Sequence, residues 1–305
     1  MRIGIDIGGS HIAAGIVDKN GKILSKETRD IDINYIKDEN RAENLIVDII
    51  ENEINFLLQK NDFDISDISK IGIAVPGMPK EGKIRNLVNL NIEEFDIGKV
   101  LEEKYKTTIK IKNDGKCAGL AEKKYGALRI YDDCAFLCIG TGVGSAIFLG
   151  GELLEPKNSS GFELGHMIID KNGKLCNCGQ KGCFETYASM KRFKQEAINR
   201  LKLGNNKEIQ AEEVQNYIRN NIEKKDVKEF IEEYLENVSI GLINIINIFE
   251  PEAICFGGSF SYYEDIFIPR LYNILKGRTF NKESRVKLLP AKLKNDAGII
   301  GAAEL

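Results

Sequence analysis

Apolar and polar positions divide the chain into short strands that end on glycine and longer stretches of helical spacing. Residues 2–7 run into Gly8-Gly9-Ser10, residues 12–17 follow, and Lys19-Asn20-Gly21 leads to residues 22–26. This predicts three antiparallel strands joined by two tight turns. Over residues 40–59, Leu45, Ile46, Ile49, Ile50, Ile54, Leu57 and Leu58 fall on one helical face, and the alternating run 70–75 stops at Pro76-Gly77. A helix over 97–104, a strand over 108–112 and a helix over 116–125, its start marked by Asn113-Asp114-Gly115, complete a mixed α/β lobe. Residues 135–139 then enter Gly140-Thr141-Gly142-Val143-Gly144, continue through 145–149 and turn at Gly150-Gly151 into 152–154. That repeats the plan of residues 3–24 and predicts an internal duplication. Residues 202–226 are charged and helix-prone. Ile231, Leu235, Val238, Leu242, Ile245 and Phe249 mark a helix over 230–249, a short strand over 253–256 ends on Gly257-Gly258, and Asn295-Asp296-Ala297-Gly298 opens a last helix. The expected division is a lobe of residues 1–113 joined by 295–305, and a lobe of residues 114–294.

Composition narrows the function classes. A chain of 305 residues with 43% apolar content fills two cores. Its 43 Lys and Arg against 46 Asp and Glu leave a formal charge of −3, which disfavours nucleic-acid and membrane-surface roles. No window reaches the roughly 18 apolar residues of a spanning helix, and the N-terminus lacks the apolar core of a signal peptide, so a cytoplasmic protein is expected. Seven cysteines, three of them between 176 and 183, point to metal rather than to a disulfide framework.

The glycine turns suit phosphate, because a backbone without Cβ lets N–H groups approach an anion closely. Gly8-Gly9-Ser10 and Gly140-Thr141-Gly142 both qualify, although either alone reads equally as a glycine hairpin. Gly140, Gly142 and Gly144 precede a strand rather than a helix and no G-x-x-x-x-G-K-[ST] occurs, which rejects the dinucleotide fingerprint and the P-loop. Asp6, just before the first turn, is suited to holding hydrated Mg²⁺ beside phosphates, or to capping the turn. His166 with Cys176, Cys178 and Cys183 supplies one imidazole and three thiolates, a closed tetrahedral set expected to hold structural zinc. Cys117, Cys134, Cys138 and Cys255 have no spaced partners and read as core residues. Asp114, Glu163 and Glu185 taken singly fit solvated surface. A metal that fixes the 166–185 loop would make Glu163, His166 and Glu185 one rigid constellation suited to a polyhydroxylated ligand.

These residues together resemble the ROK family (repressors, open reading frames and sugar kinases). The resemblance rests on Asp6-Ile7-Gly8-Gly9-Ser10, Ala74-Val75-Pro76-Gly77, Asn113-Asp114, Gly140 to Gly144, Glu163-Leu164-Gly165-His166 and Cys176-x-Cys178-Gly179-x-x-Gly182-Cys183-x-Glu185. It extends through Gly257-Gly258 and the small-residue run that starts at Ala297. It implies a two-lobed, actin-like (ribonuclease H-like) ATPase fold with duplicated α/β domains and a cleft between them. It also implies an ATP-dependent hexose kinase with Asp114 as catalytic base. The sugar would be held by Gly77, Asn113, Asp114, Glu163, His166 and Glu185. ATP would lie between Gly8, Gly9 and Ser10, Gly140, Thr141 and Gly142, and Gly258, with Asp6 an indirect holder of Mg²⁺. The expected reaction is transfer of the γ-phosphoryl group to glucose O6. N-acetylmannosamine, N-acetylglucosamine and fructose are alternatives, as is a catalytically idle sugar sensor. A homodimer that closes on sugar about hinges near 113–114 and 295–298 is expected. Because the first strand begins at residue 2, no helix-turn-helix domain is expected before it. The chain departs from common family usage at Ser10-His11, at Gly115-Lys116 and over residues 89–95, which lack a tryptophan frequent there.

Overall fold

The computed structural model describes residues 1–31, 39–80, 82–87, 92–157, 161–204 and 209–305. Its contacts divide the chain into two units. The first comprises Met1–Ile130, Leu153–Gly161 and Lys292–Leu305, and the second Tyr131–Glu152 and Phe162–Ala291.

The first unit is built on strands β1 (Arg2–Ile7), β2 (His11–Val17) and β3 (Ile23–Asp30), helix α1 (Glu39–Lys60) and strand β4 (Lys70–Val75). A hairpin of β5 (Ile84–Leu87) and β6 (Ile92–Phe95), helix α2 (Ile97–Tyr105), strand β7 (Ile109–Asn113) and helix α3 (Asp114–Tyr125) follow. Five strands pair in the order β3-β2-β1-β4-β7, antiparallel from β3 to β1 and parallel from β1 to β7. Strand β1 shows how the sequence sorts its faces, since successive side chains point to opposite sides of a sheet. Ile3, Ile5 and Ile7 join one core with Ile46, Ile50, Ile54 and Leu57 of α1, while Gly4 and Asp6 face the other side.

The second unit repeats the plan with β8 (Cys134–Ile139), β9 (Val143–Leu149) and β10 (Glu152–Leu153). Helices α4 (Glu185–Ala188), α5 (Met190–Arg200), α6 (Ala211–Asn220) and α7 (Lys225–Phe249) follow, then β11 (Ala253–Gly257), α8 (Glu264–Leu275) and β12 (Lys287–Pro290). Its sheet runs β10-β9-β8-β11-β12, again antiparallel from β9 to β8 and parallel from β8 to β12. The matching order bears out the expected duplication. An aromatic cluster fills the core beside this sheet, with the Phe193 ring 4.6 Å from Tyr234 and 5.0 Å from Phe230, and Phe256 stacked on Phe260 at 4.8 Å.

The last helix, α9 (Ala297–Glu304), returns to the first unit and lies on the face of β1 and β4 opposite α1. It approaches the sheet so closely that a methyl group at Gly4 would strike the Ile299 carbonyl, and one at Gly72 the Ala302 carbonyl. A methyl on Gly301 would likewise strike the Cys117 carbonyl of α3. This packing keeps α3 with the first unit, so that unit extends to Ile130 rather than ending at the expected boundary of 113. The expected hinge positions 113–114 and 295–298 both lie inside it, and the chain passes between units at 130–131, 152–153, 161–162 and 291–292. Of the helix-prone stretch 202–226, residues 211–220 form α6, and 205–208 lie outside the described residues, as do 89–91 of the stretch without tryptophan. No helix among the described residues is long and apolar enough to cross a membrane.

Candidate functional site

In the first unit the C-terminal ends of β1, β4 and β7 lie side by side, with Asp6 opposite Ala74 and Val75 opposite Asn113. Ligands of parallel sheets bind at this end, where the chain turns and backbone groups are left open. The chain leaves β1 through Gly8, whose N–H donates to the His11 carbonyl at 2.8 Å, placing Gly9 and Ser10 at the tip of the turn. It leaves β4 at Gly77, which adopts φ +87°, a region open to glycine.

Asn113 ties two of these exits together. Its side-chain N–H donates to the Gly77 carbonyl at 3.1 Å, and its side-chain oxygen accepts from the Lys116 N–H at 3.2 Å, capping α3. Asp114 is therefore the first residue of that helix, earlier than the expected start at 116, and its carboxylate accepts from the Gly115 N–H at 2.7 Å. The positive helix end favours a charged carboxylate there. Lys116 is buried despite its charge, and its Nζ donates to the Gly161 carbonyl at 3.4 Å, so this departure from family usage joins α3 to the segment Leu153–Gly161 of the same unit.

Asp6 sits against Gly298 so tightly that a methyl group there would strike its carboxylate. Burial, and then the neighbouring charge of Asp114, push the Asp6 carboxyl up to about 7. A buried carboxyl raised beside a second carboxylate in this way fits a divalent cation, whose charge restores the ionised form.

In the second unit the β8–β9 turn closes through the Gly140 N–H, which donates to the Gly142 carbonyl at 2.9 Å. The glycines of this turn have separate tasks. Space beside Gly140 is open, with no atom within 4 Å of where a Cβ would stand, whereas a Cβ on Gly142 would strike the Glu185 carboxylate. Glu185 in turn accepts from the Val143 N–H at 2.9 Å, and Thr141 between the two glycines is exposed. Gly258, at φ +71°, packs where a Cβ would come within 2.7 Å of the Ile139 carbonyl.

His166, Cys176, Cys178 and Cys183 converge, with their ligand atoms all within 4.8 Å of one another. Cys176 Sγ lies 3.7 Å from His166 Nδ1 and Cys178 Sγ 3.6 Å from Cys183 Sγ. Zinc–thiolate bonds of about 2.3 Å at tetrahedral angles set sulfur atoms about 3.8 Å apart, close to these two distances, so the donor set is of the type and spacing that holds Zn²⁺. Burial, reinforced by Cys178, pushes the Cys183 thiol up to about 12, while the Gln180 backbone N–H holds Cys178 below the usual thiol range. A bound zinc would hold these thiols as thiolates. Because His166 presents Nδ1 to the cysteines, its Nε2 is left for another ligand.

Glu163 precedes a short 3₁₀ turn, Leu164–His166, which is pinned to β9. Ser145 Oγ donates to the Phe162 carbonyl at 2.9 Å and accepts from the Leu164 N–H at 3.2 Å. Sequence reasoning missed Ser145, although a serine buried in an otherwise apolar strand is a visible signal that a hydrogen-bonding task exists. It also missed Glu122 of α3, fully buried, whose carboxylate accepts from the Ala127 and Leu293 N–H groups, each at 2.7 Å.

Residues 2–305 match the family model described as the ROK family. The glucokinase of Thermotoga maritima is 30% identical, the alignment covering 99% of this chain and 96% of that protein. The xylose repressor of Bacillus subtilis is 28% identical over 99% of this chain and 76% of its own length. Among solved structures, a ROK family glucokinase from Streptomyces griseus in complex with glucose and AMPPNP superposes with a TM-score of 0.81, at 25% identity, covering 99% of this chain and 98% of that one. The chain belongs to the ROK family and has the actin-like ATPase fold of its sugar kinases.

Proposed function

We propose that this ROK-family chain is an ATP-dependent hexose kinase that transfers the γ-phosphoryl group to glucose O6. The observation that carries the reading is the group at the ends of β1, β4 and β7. There Asp114, oriented by the cap of α3, and Asp6, which fits a divalent cation, flank a glycine turn. In phosphoryl transfer the protein mainly positions the reactants and stabilises charge. Asp114 receives the proton of the attacking hydroxyl as the O–P bond forms and ADP departs. Gly77, Asn113, Glu163, Nε2 of His166 and Glu185 hydrogen-bond the sugar. Gly8, Gly9, Ser10, Gly140, Thr141, Gly142 and Gly258 would offer the phosphates of ATP their backbone and hydroxyl groups, and Asp6 would be the indirect holder of Mg²⁺, which would offset phosphate charge. Zinc on His166, Cys176, Cys178 and Cys183 supplies no chemistry beyond fixing the loop between Glu163 and Glu185.

A coupled ADP-release assay against glucose, N-acetylmannosamine, N-acetylglucosamine and fructose tests the reading, with the highest kcat/KM expected for glucose. Preference for an N-acetylhexosamine would replace glucose and keep the kinase. The match to a xylose repressor supports a second reading, a sugar sensor without turnover. Sugar binding with no ADP released from any member of the panel would establish it.

A further inference from the structure

The stretch from Lys276 to Lys287 joins α8 to β12 and carries five cations against one acid, Glu283. Arg278 is paired with Glu236 at 2.6 Å. Among the described residues, no carboxylate pairs with Lys276, Lys282, Arg285 or Lys287. Those four surround a cavity of about 390 Å³, and no acid lines it.

The rest of the lining is suited to a small molecule with a carbon skeleton. Its buried lining is apolar, formed by Ile246, Leu275 and Val286, and the hydroxyl-bearing Thr279 and Ser284 line it too. Thr279 is buried, and its hydroxyl donates to the Asn281 carbonyl at 2.6 Å, which holds the loop in its curved path. The volume falls within the range of small-ligand sites, and a concave wall of one charge sign concentrates the field on what enters it. A flat or convex basic face would suit the backbone of a duplex; a cup does not.

The cavity is remote from the glycine turns of its own unit. It lies where β11 and β12 begin, whereas Gly258 follows the end of β11, five residues further along. At a rise of about 3.3 Å per residue the two ends are on the order of 15 Å apart.

We propose that this cavity is a second ligand site, which takes a small organic phosphate of phosphosugar size. The phosphate meets Lys276, Lys282, Arg285 and Lys287, and the carbon skeleton rests on the apolar lining. The proposal does not depend on the kinase reading.

Calorimetric titration of the full chain with fructose 1,6-bisphosphate, glucose 6-phosphate and inorganic phosphate tests it. A phosphosugar should bind more tightly than inorganic phosphate, with an affinity that falls as salt is added. The double variant Lys282→Gln/Arg285→Gln should weaken it about tenfold or more by removing two of four cations, and Gly140→Val should leave it unchanged. Lys276→Gln, at the α8 end of the lining, should also weaken it and gives a second reading should the double variant melt early. The proposal is overturned by absence of binding with every probe, by equal binding of inorganic phosphate, or by loss in Gly140→Val with retention in the lysine and arginine variants. Tighter binding of a DNA duplex with the same dependence on Arg285 would also overturn it.

Discussion

In the first unit the strand that enters the glycine turn brings its own carboxylate, Asp6, two residues ahead of Gly8. In the second unit the corresponding position, two ahead of Gly140, is Cys138, and the carboxylate at the turn arrives instead from α4 as Glu185. The strand frames match, yet the support behind the turns differs. Asp6 rests on α9 through Gly298, a contact made of sheet and helix alone. Glu185 lies two residues after Cys183, and its other oxygen lies 4.0 Å from Cys176 Sγ, so its position depends on the loop that the three cysteines and His166 gather. A duplicated backbone thus keeps its hydrogen bonding, while each copy obtains its charge from whatever packs against it. The first turn should be indifferent to zinc and the second should not.

The sharpest test of the first unit is Asp114→Asn, expected to lower kcat by about 10² to 10⁴ with sugar and nucleotide binding kept, as for removal of a general base. Turnover within a few-fold of the parent, at an unchanged melting temperature, would remove Asp114 from that role. On the second unit, elemental analysis is expected to find one zinc per chain in the parent and none in Cys178→Ser, which should also weaken sugar binding about 10- to 100-fold through the Glu163–Glu185 loop. If sugar affinity survives both this change and removal of zinc, the second turn is as independent of zinc as the first.

A smaller effect separates the glycines of one turn. Gly142→Ala should cost about 1–3 kcal/mol of stability, the range for an overpacked site, because the new methyl meets Glu185. Gly140→Ala should melt like the parent yet bind ATP less tightly, since its methyl enters open space. Equal melting of the two would break the distinction.

The pH response of Asp6 tests the first unit without reference to turnover. Its carboxyl is raised from 3.8 to about 7 in the fold. The folded state therefore holds the proton more tightly than the unfolded chain, and the stability this provides is complete below 3.8 and lost as pH rises through about 7. Asp6→Asn should flatten the melting temperature across that window and melt a few degrees above the parent on its alkaline side in the absence of Mg²⁺. A parent protein with no decline across the window would contradict the burial and charge pairing described for Asp6.

Much of this was legible because the signals are local. Strands that end on glycine identify both frames, and His166, Cys176, Cys178 and Cys183 lie close enough along the chain for their types and spacing to suggest one site. What depends on distant packing was not legible. Helix α8 contains Pro269, which disguises it, and the short strand β12 follows a loop with no apolar pattern. The boundary at 113 missed the end of the first unit because α3 is claimed by α9, more than 170 residues later in the sequence. Glu122 is one of 46 acids, and only its burial distinguishes it. The charge of −3 averages away the cations between Lys276 and Lys287, which a short-window count would have found.

The closeness of α9 to Gly4 and Gly72 also bears on how the protein is made. Strands β1 to β4 leave the ribosome before α9 and cannot cover one face of their sheet until residues 297–304 have been translated, whereas the second unit is complete once Ala291 has emerged. At about 5–20 residues per second, the first 130 residues wait on the order of ten seconds with Ile299 and its neighbours still unsynthesised. Maturation therefore runs against the direction of synthesis, with the later unit free to settle first and the earlier one closing last over β1 and β4.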